Sequence, residues 1–254
     1  MMALRRTPDV EYAVHAGVSL RLDMVRPAGD AVLPVVLTLH GGGWCAGTRQ
    51  GNAGFAHRLA RLGYVVGNLS YRLAPEYPYP AALDDLRAAA AWARAHAGEF
   101  GGDPRRIGVF GSSAGGHLAV LAAAMPDPPF ACAVSWGAPM DLRDAPLAAS
   151  HRGYLLAFLN DCPHDAPARY ADASPVHWIG PHSAPILLLH GDDDALVPPR
   201  QPDLLAAAAP AHVEVVHLPN SPHVPDHPSD PGIEEGWRHI ERFLAAHFVI
   251  ESDV

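Results

Sequence analysis

Cysteine is scarce in this sequence, and the three cysteines that occur are scattered. Cys45, Cys132 and Cys162 are an odd number with no recurring spacing, which excludes the disulfide framework of a small secreted domain. We therefore expect free thiols, a reducing compartment and a cytoplasmic protein.

Long apolar runs and an excess of positive charge are also missing. No run approaches the ~20 apolar residues of a membrane helix, and no apolar stretch follows the arginines near the N-terminus, so neither a membrane span nor a signal peptide is predicted. The formal net charge of -9 argues against nucleic acid and anionic membranes as partners. We expect a small-molecule substrate, and the sequence leaves a homodimer open.

What the sequence does contain is a regular alternation of short apolar runs with longer helical patterns. Such alternation predicts an α/β fold, with a mostly parallel central sheet and helices on both faces, in one domain covering residues 1–254. The predicted strands are residues 18–25 (an edge strand by its alternation), 35–39, 64–69, 107–110, 131–135, 186–189 and 213–218. The predicted helices are residues 54–62, 81–97, 118–125, 147–160 and 233–248.

Residues 138–185 break this alternation, because no strand pattern occurs in them. An insertion of this length between two strands is typical of a small lid or pocket wall. We call residues 138–185 the lid segment.

A serine framed by glycines lies between a predicted strand and a predicted helix. In the pattern Gly-x-Ser-x-Gly the frame is Gly111, Ser113 and Gly115, which is the strand–turn–helix context of a nucleophilic serine on a sharp elbow. Ser112 is the rival, but its flanking residues fail the spacing. A simple helix cap would also explain the pattern, so the nucleophile assignment of Ser113 depends on finding its partners.

The sequence HGGGW at residues 40–44 follows another predicted buried strand. Consecutive glycines leave backbone N–H groups free to approach a substrate oxygen closely. Esterase-type sites combine such a loop with the N–H after the nucleophile to bind an oxyanion, which here predicts Gly42, Gly43 and Ala114 as donors. His40 is predicted to orient the loop through a hydrogen bond, not to act as an acid or base.

Three consecutive aspartates, Asp192, Asp193 and Asp194, follow the predicted strand at residues 186–189. A serine hydrolase needs one buried carboxylate to fix the tautomer of its histidine. Because neighbouring carboxylates repel one another, only one of the three is expected to face inward. The cluster lacks the spacing of a calcium loop, so we expect no metal, and nothing in the sequence calls for an organic cofactor.

The general base is harder to choose, because the chain contains 16 histidines. The candidates after the aspartates are His212, His217, His223, His227, His239 and His247. His223 is predicted as the base because it lies in the loop between the last strand and the last helix, at the sheet edge that also carries Ser113. His227 shares that loop and is the alternative. The histidines of this region match no common zinc spacing.

These motifs together resemble the α/β-hydrolase fold, and within it the esterases that carry an HGGG loop. The resemblance includes hormone-sensitive-lipase-like, feruloyl-esterase-like and kynurenine-formamidase-like proteins and covers nearly the whole chain. It rests on HGGGW, on GSSAGG, on YRLAPE at residues 71–76 and on DPRRI at residues 103–107. The resemblance implies that Asp194, four residues after the strand-end histidine, is the acid.

The sequence departs from this pattern in two places. Only about forty residues precede His40, so we expect the large N-terminal cap of the lipase-like members to be absent. The loop around His223 reads SPHVP, where the family usually has a glycine-rich sequence.

The expected protein is therefore a serine hydrolase that cleaves small carboxylic esters through an acyl-enzyme, with Ser113 as nucleophile, His223 as base and Asp194 as acid. Two alternatives stay open. One is an arylformamidase that hydrolyses the amide bond of N-formylkynurenine, and the other is a non-catalytic binding protein with a hydrolase fold.

Overall fold

The computed structural model describes residues 2–143, 147–209, 211–225 and 229–248. The strands are β1 (Leu4–His15), β2 (Val18–Pro27), β3 (Leu33–Leu39), β4 (Val65–Leu69), β5 (Gly102–Ser112), β6 (Ala133–Trp136), β7 (Ile186–Gly191) and β8 (Val213–Leu218). The helices are α1 (Ala53–Arg61), α2 (Ala81–His96), α3 (Ala114–Ala124), α4 (Arg152–Leu159), α5 (Pro167–Asp172), α6 (Pro175–Trp178), α7 (Gln201–Ala208) and α8 (Ile233–His247). Two 3₁₀ turns, Ala97–Phe100 and Ala149–His151, precede β5 and α4 respectively.

The eight strands form one sheet in the order β1-β2-β4-β3-β5-β6-β7-β8. From β4 to β8 every neighbouring pair is parallel, whereas β1 with β2 and β2 with β4 are antiparallel. Parallel strands expose their carboxyl ends at one edge, so the loops after β3, β5, β7 and β8 meet there.

The sheet is apolar on both faces, because helices cover each of them. In β3, Val35, Leu37 and Leu39 face the cluster that includes α2 and α3, while Val36 faces the cluster that includes α1 and α8. The alternation of side chains along a strand thus divides one continuous apolar run between two cores. None of the helices in the described ranges has the length and apolar character that crossing a membrane requires.

The predicted edge strand at residues 18–25 is wrong in its placement. β2 lies inside the sheet, paired with β4 on one side and with β1 on the other, so that β1 is the edge. The hairpin turns at Ala16 and Gly17, which both have positive φ (50° and 76°), as the preferred two-residue hairpin turn requires. Most side chains of β1 are exposed, so the strand lacks the apolar pattern that would have predicted it.

The lid segment contains helices and no strand within its described residues, as predicted. The helix predicted at residues 147–160 is shorter than expected and begins at Arg152, after a 3₁₀ turn. The short helices α5 and α6 were not predicted, and neither was α7, which follows the lid segment. Residues 144–146 of the lid segment lie outside the described residues.

Candidate active site

Ser113 lies on the sharp turn between β5 and α3. Its φ of 51° and ψ of -121° place the backbone in a region that L-residues rarely adopt, which is the strained geometry of a nucleophile elbow. Gly115 permits the turn, because a Cβ there would lie 2.5 Å from the carbonyl oxygen of His40. Ser112, by contrast, is the last residue of β5 and is buried. The elbow therefore exposes Ser113 at the sheet edge, while Ser112, which also borders the cavity, ends the buried strand.

The structure brings together the three residues that the sequence analysis selected. His223 Nε2 lies 2.9 Å from Ser113 Oγ, and His223 Nδ1 lies 2.6 Å from Asp194 Oδ2. A carboxylate only accepts hydrogen bonds, so Nδ1 carries the proton and Nε2 is left as an acceptor for the Ser113 hydroxyl. The arrangement can accept a proton from Ser113 without moving a side chain.

The three consecutive aspartates separate as charge repulsion predicts. Asp194 is buried in the turn after β7, while Asp192 and Asp193 are exposed. Oδ1 of Asp194 accepts the backbone N–H groups of Leu196 and Val197, both at 2.8 Å. The Asp194 carboxylate is therefore fixed by the turn that follows it.

His190 is a neighbour of Asp194 that the sequence analysis did not assign to the site. Its side chain is buried at the end of β7, and its Nε2 lies 3.1 Å from Asp194 Oδ2 and 3.0 Å from the carbonyl oxygen of Val197. Both neighbours are acceptors, so Nε2 carries a proton that the two share. A histidine at a strand end, four residues before the aspartate, was the available signal.

These contacts decide the protonation state of Asp194. Burial alone would raise the pKa of Asp194, but hydrogen bonds from His190, from His223 and from the backbone of Val197 outweigh burial and hold this pKa well below its usual range. Asp194 is therefore a carboxylate throughout the neutral and mildly acidic range.

The loop that carries His223 packs directly against the end of β7. At Gly191 a Cβ would lie 2.2 Å from the carbonyl oxygen of Ser221 and 2.3 Å from that of Pro222. Only a glycine allows this backbone contact, which places His223 beside Asp194. The alternative base, His227, lies outside the described residues.

The HGGGW loop lies against the elbow on its other side. A Cβ on Gly41 would lie 3.2 Å from the Cβ of Ser113, so the loop backbone and the serine are in contact. Within the described residues, the loop's hydrogen bonds use the carbonyl oxygen of Gly42 but not the N–H of Gly42 or Gly43. Ala114 is the first residue of α3, and an N–H in the first turn of a helix has no acceptor within that helix. In the part of the chain that the structure describes, the N–H groups of Gly42, Gly43 and Ala114 therefore have no recorded acceptor, and all three residues line the same cavity as Ser113.

His40 stabilises the start of this loop, as predicted. Its ring is buried and stacks on Tyr71 at 4.3 Å between centroids, and its Nδ1 lies 2.7 Å from the carbonyl oxygen of Gly41. The Tyr71 hydroxyl donates to the carbonyl oxygen of His40 at 2.9 Å. Burial lowers the pKa of His40, which keeps the ring neutral and unsuited to act as an acid.

A cavity of about 340 Å³ opens over Ser113 and His223. Its walls combine the HGGGW loop, the elbow and part of the lid segment. Apolar side chains dominate the lining: Pro139 and Leu147 from the lid segment, and Leu196, Val197 and Val224 from outside it. His151 and Tyr154, both from the lid segment, add aromatic surface. A small apolar group bound here would contact the serine hydroxyl and the unused N–H donors together.

A family model described as BD-FAE matches residues 22–208, which is most of the chain. The chain belongs to the BD-FAE family. The matched residues include β3 with the HGGGW loop, the elbow and Asp194, whereas His223 lies beyond them.

The chain is also similar to mycobacterial proteins named as ester hydrolases. The "Probable carboxylic ester hydrolase LipM" of Mycobacterium tuberculosis is 32% identical over 263 residues, an alignment that covers 93% of this chain and 60% of LipM. The BD-FAE chain spans between half and two thirds of the length of the first mycobacterial esterases it matches.

Solved structures confirm the fold that the motifs imply. A truncated carbohydrate esterase from gut microbiota superposes with a TM-score of 0.81 at 22% identity, covering 96% of both chains. Esterase Est2 of Thermogutta terrifontis superposes with a TM-score of 0.79 at 22% identity, covering 100% of this chain and 95% of its own. At this identity the likeness establishes the α/β-hydrolase fold.

Proposed function

We propose that this protein is a serine esterase that cleaves small carboxylic esters through an acyl-enzyme intermediate. The observation that carries the proposal is the continuous hydrogen-bonded series Ser113 Oγ, His223 and Asp194, with unused N–H groups beside the serine. Its relatives are named as esterases or as a carboxylic ester hydrolase, which supports the same reaction.

In this reaction Ser113 Oγ attacks the ester carbonyl while His223 Nε2 accepts the serine proton. Asp194 accepts the Nδ1–H of His223 and stabilises the imidazolium that forms. The tetrahedral oxyanion is bound by the N–H groups of Gly42, Gly43 and Ala114, each of which contributes about 2.7–4 kcal/mol of transition-state stabilisation in comparable sites.

The intermediate then collapses as His223 Nε2–H donates its proton to the departing alcohol oxygen. A water molecule, deprotonated by the same nitrogen, then attacks the acyl-Ser113 ester; the bond between the acyl carbon and Ser113 Oγ breaks, His223 Nε2–H returns its proton to Oγ, and the carboxylic acid is released. The cavity of about 340 Å³ lies at the small end of ligand pockets, which supports short acyl groups over long ones.

Ser113→Ala and Ser112→Ala, compared in one assay, test the proposal. With an aryl acetate or butyrate as substrate, Ser113→Ala should abolish turnover and Ser112→Ala should keep most of it. A fluorophosphonate probe should label the wild type and Ser112→Ala but not Ser113→Ala. Labelling of Ser113→Ala at the wild-type rate would refute the nucleophile assignment.

Substrate class is tested in parallel. N-formylkynurenine, supplied at the same concentration as the ester, should be hydrolysed more slowly than the ester. Faster hydrolysis of the formamide would make the protein an arylformamidase, and absence of both turnover and labelling would make it a non-catalytic binding protein.

A further inference from the structure

Trp44, the last residue of the HGGGW loop, is buried and conformationally strained. Its φ of 60° is rare for a bulky side chain, and 2% of the residue is exposed. The indole ring stacks on Phe158 of α4, with ring centroids 4.5 Å apart and planes 11° from parallel. A strained backbone of this kind persists only where surrounding contacts hold it.

The edge of the indole ring makes a directed contact with His117 of α3. Trp44 Nε1 lies 3.2 Å from His117 Nδ1, and the two rings meet edge to face. Indole N–H can only donate, so Nδ1 of His117 carries no proton. On the other side of the ring, His117 Nε2 donates to the carbonyl oxygen of Ala173 at 2.8 Å. His117 is therefore a neutral imidazole that accepts from the loop and donates to the lid segment.

The backbone of His117 also contacts the nucleophile residue. Its N–H donates to the carbonyl oxygen of Ser113 at 2.9 Å, in the first turn of α3. One residue thus bonds to Ser113 through its backbone and to Trp44 through its ring. Trp44 directly follows Gly43, whose N–H is one of the proposed oxyanion donors.

We propose that Trp44 and His117 are positioning residues whose hydrogen bond sets the distance between the oxyanion loop and Ser113. The inference rests on the proposed esterase function. Trp44 is one of the residues that line the cavity, but within the described residues the side-chain hydrogen bonds of the pair go to each other and to Ala173, not to Ser113 Oγ, His223 or Asp194. It acts by holding the Gly42 and Gly43 donors where the oxyanion forms, and because donors must lie within a few tenths of an ångström of that position, loosening the loop lowers kcat.

Two amide substitutions at His117 separate its two hydrogen bonds. In His117→Asn the amide oxygen takes the place of Nδ1, which keeps the acceptor for Trp44 and gives up the bond to Ala173. In His117→Gln the longer amide reaches the place of Nε2, which keeps the bond to Ala173 and leaves Trp44 without an acceptor. Trp44→Phe removes the indole N–H and keeps a ring to stack on Phe158.

We expect His117→Gln and Trp44→Phe to lower kcat by about tenfold to a hundredfold, with KM within about twofold of wild type. His117→Asn should lose less than about threefold. The double variant Trp44→Phe/His117→Gln should be no slower than the worse single variant, because both changes remove the same bond.

The affinity for a trifluoromethyl ketone with a short alkyl group separates positioning from a structural role. This ketone forms a hemiketal oxyanion on Ser113, so its affinity should fall by the same factor as kcat/KM in His117→Gln and Trp44→Phe. His182→Asn is the control, since His182 also bonds to a backbone carbonyl of α3, that of Ala124, away from the loop. Its kinetics and ketone affinity should match wild type.

Equal losses of kcat in His117→Asn and His117→Gln would overturn the proposal, as would a lowered Tm with unchanged kcat and ketone affinity. If His117→Gln does not fold, Trp44→Phe tests the same hydrogen bond from its donor side. Failure of the esterase proposal looks different, because wild type would then lack ester turnover or Ser113→Ala would keep it.

Discussion

Acid should destabilise this protein measurably through one buried imidazole, that of His117. The side chain is completely buried in α3 and uses both ring nitrogens in hydrogen bonds, one as acceptor and one as donor. Burial lowers the pKa of His117 to about 4, although its bond to the carbonyl oxygen of Ala173 acts in the opposite direction. A second proton could enter only at Nδ1, which is the atom that accepts from Trp44.

The direction of the effect follows from the two pKa values. An unfolded chain protonates His117 near pH 6.5, whereas the folded protein does so only near pH 4, so between these values the unfolded state binds the extra proton. The free energy of unfolding therefore falls as the pH is lowered from about 6.5 to about 4, and this group contributes no further change below that range. The loss amounts to about 1 kcal/mol near pH 5.5 and about 2–3 kcal/mol near pH 4.5.

Urea unfolding of wild type and His117→Asn, measured at several values between about pH 7.5 and pH 4.5, isolates this contribution. Asparagine does not titrate, so the contributions of all other groups cancel in the comparison. The difference in free energy of unfolding between wild type and His117→Asn should therefore shrink or reverse by these amounts as the pH falls. In NMR spectra the His117 ring should keep the shifts of a neutral imidazole protonated on Nε2 down to about pH 5. A difference in free energy of unfolding that does not change with pH, or a His117 ring that titrates near pH 6.5, would refute the reasoning.

Three further predictions concern the site itself. Asp194→Asn should lower kcat by about 10⁴-fold, because the amide donates to His223 Nδ1 and imposes the wrong tautomer. The control Asp193→Asn, at an exposed position, should change kcat by less than about twofold. A larger loss in Asp193→Asn than in Asp194→Asn would assign the acid to Asp193. His223→Ala should match Ser113→Ala in severity, since such residues act as a unit, and near-normal turnover would assign the base elsewhere. Acetyl and butyryl esters should react faster than palmitoyl esters. Leu147→Ala should raise octanoyl turnover relative to butyryl turnover, because Leu147 lines both the active-site cavity and an adjoining apolar cavity of about 250 Å³. An unchanged chain-length profile would show that Leu147 does not separate the two cavities.

The parts of this fold that could be predicted from sequence are those in which a contiguous stretch of sequence itself determines the structure it forms. The elbow at Ser113 is such a case, because a strand, a glycine frame and a helix are contiguous and only glycine fits where the two backbones meet. The buried strands of the parallel sheet are continuous apolar runs for an equally direct reason, since helices cover both faces. By contrast, β1 has mostly exposed side chains and is held by pairing with β2, so its sequence carries little pattern to recognise.

The support of the site was harder to predict, because it depends on residues far apart in the chain. The contact of Trp44 with His117 spans 73 positions, and that of His117 with Ala173 spans 56. Neither residue belongs to a pattern whose chemistry requires the other, and in a chain with 16 histidines one more buried histidine is not distinctive. His190 differs, because it lies only four residues from Asp194; the sequence used it to locate Asp194 but gave no reason to expect its Nε2–H to bond to that carboxylate.

The lid segment has a second role beyond forming a pocket wall. Tyr154 lines the cavity and its ring packs on Gly43, since a Cβ on that glycine would lie 2.7 Å from Cγ of the tyrosine. Phe158, one turn further along α4, stacks on Trp44, and Ala173 accepts the hydrogen bond of His117. The segment that lines the cavity therefore also packs against the loop proposed to bind the oxyanion. Substitutions that reshape the pocket through α4 should consequently change kcat together with substrate preference.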